Sequence, residues 1–153
     1  MTEYEYEHQV DAPEEMVALG EKLADDLVAG MVIALCGGLG AGKTHFTKGI
    51  ASGLGCGGEV TSPTFSLAHE YGGGRLPLFH FDFYRMDSEQ EVLRIGWDEY
   101  IDENGIIVVE WPDKFPNLLP KNTIWLKFAT LSGGSAQAGR RIVRRVEAAK
   151  CED

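Results

Sequence analysis

Apolar residues recur at helical spacing early in the chain: Met16, Leu19, Leu23 and Leu27 fall on one face, with Glu and Lys on the other. The pattern predicts an amphipathic helix over residues 11–30, opened by a capping box of Asp11 with Glu14 and stopped at Gly30. The run MVIALC at 31–36 has no polar position and suits a strand buried on both faces. A Gly-rich loop follows, then a helix from about 43 to 54. The stretch GLGCGGEVTSPTF is rich in Gly, Ser and Thr and reads as loop. FSLAHEY and RLPLFHFDFY alternate as two strands joined by Gly72, Gly73 and Gly74. Short helices are expected from residue 88 to 94 and from 97 to 101, followed by a buried strand IIVVE at 106–110. TIWLKFATL and RRIVRRVEA flank GGSAQAG and predict a terminal hairpin.

Composition changes this picture little. With 153 residues, 44% of them apolar and 25% charged, the chain suits one globular domain spanning 1–153. No run approaches the ~20 apolar residues of a membrane span. The opening MTEYEYEHQVDAPEE is acidic where a secretory leader would be basic and then apolar, so a cytoplasmic protein with no membrane association is expected. A formal charge of −10 argues against a surface that grips nucleic acid as a whole. One local basic run remains, Arg140, Arg141, Arg144, Arg145 and Lys150, readable as a solvated strand face or as an RNA contact. Cys36, Cys56 and Cys151 lack metal-ligand spacing, and the expectation is a reduced protein with incidental or structural thiols.

The chemistry concentrates in GGLGAGKT at 37–44. Gly37, Gly42, Lys43 and Thr44 satisfy G-x-x-x-x-G-K-[ST] in full, between an apolar strand and a helix. Glycines let backbone N–H groups turn inward around a phosphate, and the following helix directs its positive end at the same anion. The lysine of such a loop reaches the β- and γ-phosphates, and its Ser or Thr hydroxyl ligates Mg2+. The element order and this motif give an α/β class, a three-layer P-loop nucleoside triphosphate hydrolase fold with a mixed, partly parallel sheet.

Such a loop needs an acid at the end of a neighbouring strand to hold the metal, directly or through water. Glu110 closes IIVVE and meets that description; the plain alternative is an exposed Glu at a strand end. Asp82 lies in HFDFYR at 80–85, where an extended strand would put His80, Asp82 and Tyr84 on one face and Phe79, Phe81 and Phe83 on the other. Asp82 then either ligates metal, orients the attacking water, or pairs with His80 on a polar strand face. TSPTF at 61–65 is either a phosphate-sensing switch or a plain turn.

Taken together, GLGAGKT, SPTF with Leu67, HFDFYR, VEWP at 109–112 and the late Gly139 and Arg140 resemble the TsaE family, the P-loop ATPases of bacterial tRNA threonylcarbamoyladenosine biosynthesis. The resemblance implies a weak ATPase using ATP and Mg2+, with TsaB and TsaD as partners and tRNA reached through their complex. TsaD carries the transfer in that family, and TsaE supports repeated turnover. By motif position the nucleotide falls to Gly38, Leu39, Gly40, Ala41, Gly42, Lys43, Thr44 and His45, with Trp111 and Arg140 nearby. Thr44, Asp82 and Glu110 are the implied metal residues, and Lys43, Asp82 and Glu110 the implied catalytic ones. Two positions depart from the family: Gly38 stands where its loop carries Asp, and Met16 where its first helix carries Thr. A small-molecule kinase is the alternative, but only Arg75, Arg85 and Arg94 lie between the loop and the terminal hairpin to furnish a phosphate lid.

Overall fold

The computed structural model describes residues 7–38, 42–60, 68–130 and 141–151. Its centre is β2 (Val32–Cys36), wholly buried, as its unbroken apolar run requires. β2 pairs in parallel with β6 (Ile106–Glu110) on one side and with β7 (Ile124–Thr130) on the other. β5 (Leu78–Asp82) continues the parallel part beside β6. Antiparallel strands extend both edges: β8 (Arg141–Val146) and β1 (Glu7–Val10) beyond β7, β4 (Ala68–Gly72) and β3 (Gly58–Val60) beyond β5. The eight strands run in the order β1-β8-β7-β2-β6-β5-β4-β3.

Alternation along the central strands sends side chains to two cores. Ile33, Leu35, Val108 and Leu126 meet Met16, Leu19, Phe46 and Ile50 from α1 (Pro13–Ala24) and α2 (Lys43–Gly53). Val32, Phe79, Phe81, Ile107 and Val109 pack instead with Val92 of α3 (Glu89–Arg94) and Trp97 of α4 (Trp97–Asp102). Helices therefore cover both faces of a mixed sheet, the three-layer arrangement expected from the sequence.

Several local expectations need correction. α1 ends at Ala24, six residues short of Gly30, although Leu27 beyond it is buried. Its C-terminal carbonyls are capped from a distance: the Arg75 guanidinium donates to Ala24 O and, at 3.0 Å, to Leu27 O. The expected capping box is absent: Ala12 is the N-cap and no side chain caps the helix, although Glu15 reaches back to the Asp11 backbone N–H at 3.2 Å. β1 forms within the acidic opening stretch, where no element was expected, and β3 interrupts the stretch read as loop. β5 stops at Asp82, and Phe83–Arg85 turns into a 3-10 helix, so Tyr84 leaves the strand face and stands 64% exposed.

The cysteines require a larger correction. Cys36 and Cys151 form a disulfide across 115 positions, leaving Cys56 as the one free thiol. The β7–β8 hairpin and the 3-10 turn after it bring Cys151 back to the end of β2, where both cysteines join Ala34, Trp125 and Val146 in a small core. Spacing alone carries no sign of such a pairing. Among the described residues no helix is long and apolar enough to cross a membrane.

Candidate functional site

Parallel pairing sets the site at the carboxyl ends of β2, β6 and β5. Leu35 lies opposite Glu110, and Glu110 opposite Asp82, so the two carboxylates end neighbouring strands. Both follow the parity of Leu78 and Val108, whose side chains face α1 and α2, so they project towards the helix that follows the loop.

The loop leaves β2 through Gly37, whose φ is +130° and where a Cβ would lie 2.3 Å from Phe128 O. Only glycine fits there. Leu39, Gly40 and Ala41 lie outside the described residues, as do 61–67 and Arg140. Gly38 is exposed, and a Cβ there would meet nothing within 4 Å. Among the described residues a Cβ at Gly38 is therefore unobstructed. Gly42 opens α2 in the left-handed region without a side-chain cap, and no acidic residue occupies the first turn. A helix start with no side-chain cap among the described residues suits an anion at its N–H groups.

Lys43 is 5% exposed, an unusual position for an ammonium. Its Nζ donates to Gly37 O at 2.7 Å and sits 4.4 Å from the centre of the Trp111 ring. Burial pushes its pKa down, while Glu110, Asp82 and Asp113 pull it back up less strongly. Glu110 feels opposed effects too. Burial raises its pKa, but the hydrogen bond and charge of His80, with Lys43, outweigh that, and the net direction is down. The bond between His80 Nε2 and Glu110 Oε2 measures 2.6 Å. His80 thus pairs with Glu110, not with Asp82; the Asp82 Oδ1 accepts from the Tyr84 N–H at 3.0 Å.

Trp111 takes a left-handed backbone at φ 57°, uncommon for a bulky residue and a local strain. That turn lays its ring over Lys43 on one side and near Tyr84, centroids 5.1 Å apart, on the other. A cavity of about 290 Å³ opens beside the loop, lined by Lys43, Thr44, His45 and Glu110 and walled opposite by Val10, Pro13, Met16 and Arg141. Met16 on that wall is the first-helix position where the family resemblance marked a departure, whereas the turn from β1 into α1 before it carried no sequence signal. Arg141 could have been found: it neighbours Arg140 in the basic run.

The oxygen chemistry fits magnesium. Thr44 and one or two carboxylates, completed by phosphates and water, suit a hard octahedral cation, and no group of three or more His, Cys, Asp or Glu among the described residues could hold a metal alone. A glycine-lined turn from a buried parallel strand into an uncapped helix, inside a three-layer α/β sandwich, defines a P-loop fold. The model for "Threonylcarbamoyl adenosine biosynthesis protein TsaE" matches residues 10–142. The chain belongs to the TsaE family. It is 46% identical over 112 residues to the TsaE protein of Bacillus subtilis, covering 73% of this chain and 70% of that one. It is 38% identical over 136 residues to that of Streptomyces coelicolor, covering 83% and 87%. The crystal structure of Bacillus subtilis YdiB superimposes with a TM-score of 0.73 at 34% identity, covering 92% of this chain and 83% of that one. Relatives in both bacteria carry the name tRNA threonylcarbamoyladenosine biosynthesis protein.

Proposed function

We propose that this protein binds ATP with Mg2+ and hydrolyses it slowly, supporting repeated turnover of a TsaB–TsaD transferase that acts on tRNA in the cytoplasm. The observation that carries the reading is Lys43: an ammonium held out of water at the mouth of a glycine loop, with two carboxylates on adjoining strand ends. A buried cation without a triphosphate to meet would be a standing cost to the fold.

In this reading the helix start and the loop amides grip the β-phosphate, and Lys43 leaves Gly37 O to bridge β- and γ-phosphates. Thr44, Glu110 and Asp82 would hold Mg2+, which when bound neutralises charge on the phosphates. Asp82, at or beside the metal, would orient the attacking water, and Trp111 would shield Lys43 from solvent. His45 and Arg141 line the remainder of the cavity, where the nucleoside would lie. The kinase alternative loses an arginine, since Arg75 is spent capping α1.

The decisive experiment measures ATP hydrolysis by the chain alone and with TsaB and TsaD, alongside co-purification with and without ATP. Slow turnover that rises with the partners is the expected result. Phosphate transfer to a metabolite, or no binding of a labelled ATP analogue by the wild type, would overturn the reading.

A further inference from the structure

His80 stands two residues before Asp82 on β5, on the strand face that turns towards α2. In register it pairs with Val108, two residues before Glu110, so it meets Glu110 diagonally across the two strands. Both side chains are largely enclosed, 13% and 16% exposed, and 2.6 Å is the length of a strong, charge-assisted contact. A polar cavity of about 160 Å³ adjoins the pair, lined also by His69, Asp82 and Arg85.

Glu110 has two candidate partners, because it lines the same cavity as Lys43 beside the loop as well as meeting His80. A carboxylate free to choose would turn to the ammonium in the nucleotide-free protein. Lys43 would then be engaged by Glu110 when a phosphate arrives, and the acid would be displaced from the metal position.

We propose that His80 is a positioning residue that fastens one oxygen of Glu110, keeping the acid off Lys43 and its second oxygen turned to the metal side. This rests on the triphosphate reading above and goes beyond it, assigning His80 a task in both binding and metal capture. The ring is braced from the neighbouring strand: His69 lies directly opposite His80 in the β4–β5 ladder, ring centroids 6.4 Å apart. Glutamine in place of His80 would set its amide N–H near the Nε2 position and keep the bond; alanine would not.

Binding of a fluorescent ATP analogue, measured first in EDTA and then with Mn2+ as a paramagnetic stand-in, tests the proposal. Without divalent cation, His80→Ala is expected to bind the analogue about 10-fold more weakly than wild type, the loss of one hydrogen bond to a charged group. His80→Gln is expected to remain within about 3-fold of wild type. The double variant His80→Ala/Glu110→Gln should regain the metal-free affinity of Glu110→Gln alone, since the competitor for Lys43 is then uncharged. With the analogue bound, Mn2+ affinity followed by electron paramagnetic resonance should fall in His80→Ala and recover in His80→Gln. Equal metal-free affinity of wild type and His80→Ala overturns the proposal, as does a double variant no better than His80→Ala. Failure of the wild type itself to bind the analogue would instead defeat the triphosphate reading.

Discussion

Lys43 combines burial with a full charge, and its cost to the empty protein can be measured. Its folded pKa lies below its ordinary value of 10.5, so between the two values the unfolded chain holds more protons. Stability must then rise with pH through that window, the cost being fully present below it. Lys43→Met removes the charge and keeps the stem. It is expected to stabilise the nucleotide-free fold by about 1 kcal/mol, seen as about 2–4 °C in thermal unfolding, while binding of the labelled ATP analogue is lost. The alkaline rise should vanish with it; a variant less stable than wild type would show that Gly37 O and Trp111 already satisfy the ammonium. Gly38 is a contrasting residue, since nothing blocks a side chain there. Gly38→Asp is expected to fold within about 0.5 kcal/mol of wild type in denaturant titration. The sequence made Lys43, Glu110 and Asp82 visible as candidates because loop chemistry demands particular residue types. It hid the partner of His80, because spacing along one strand says nothing about a neighbouring strand's register.

At the scale of elements, α2 is held in place by α1 through very close backbone contact. A Cβ at Gly49 would lie 2.1 Å from Val17 O, and one at Gly20 2.2 Å from Phe46 O. Gly49→Ala would gain about 1 kcal/mol of helix propensity, but the clash is with backbone that cannot swing aside. The clash wins: a net loss of about 2–3 kcal/mol is expected in denaturant unfolding, with weakened analogue binding because α2 carries the loop's end. A second pair of elements is joined by the Tyr100 hydroxyl of α4, which donates to Glu70 of β4 at 3.0 Å. Burial, then that bond and the charges of Glu70, Glu103 and Glu99, push its pKa up to about 12. The folded state therefore keeps a proton that the unfolded chain loses near pH 10, and this group subtracts stability as pH rises from about 10 towards 12. Absorbance titration should show one tyrosine ionising late, and Glu70→Gln should bring it earlier. Helix existence was legible from periodicity, as Met16 and Leu19 show; the end of α1 was not, because Arg75 caps it from 51 positions away.

For the whole molecule, the sheet's middle could be read from the unbroken runs VIALC and IIVVE, and its antiparallel flanks from alternation with glycine turns. Its outermost strands could not: β1 is four residues long and β3 three, too short for a pattern, and each forms only because a longer neighbour offers an edge. The disulfide was equally hidden, being a product of topology. Closing a loop of this length restricts the unfolded chain severely, so Cys151→Ser or thorough reduction is expected to lower stability by about 4–5 kcal/mol, read from denaturant midpoints. An unchanged midpoint in reductant would mean the linkage does not bear on folding.

That same bond makes the molecule a noose with a short lead. Residues 1–35, carrying β1, α1 and all of β2 but its last residue, and residues 152–153 lie outside the covalent ring, and everything between Cys36 and Cys151 lies within it. Drawn out by its two ends in a force spectrometer, the oxidised chain can lengthen to only ~125 Å of backbone before the sulfurs bear the load. Cutting the bond with a soluble dithiol would release a further ~390 Å in one step. The nucleotide loop begins at the knot of this noose, one residue past Cys36, so a pull that strips away β1, α1 and the first four residues of β2 is arrested at Cys36, beside the phosphate site.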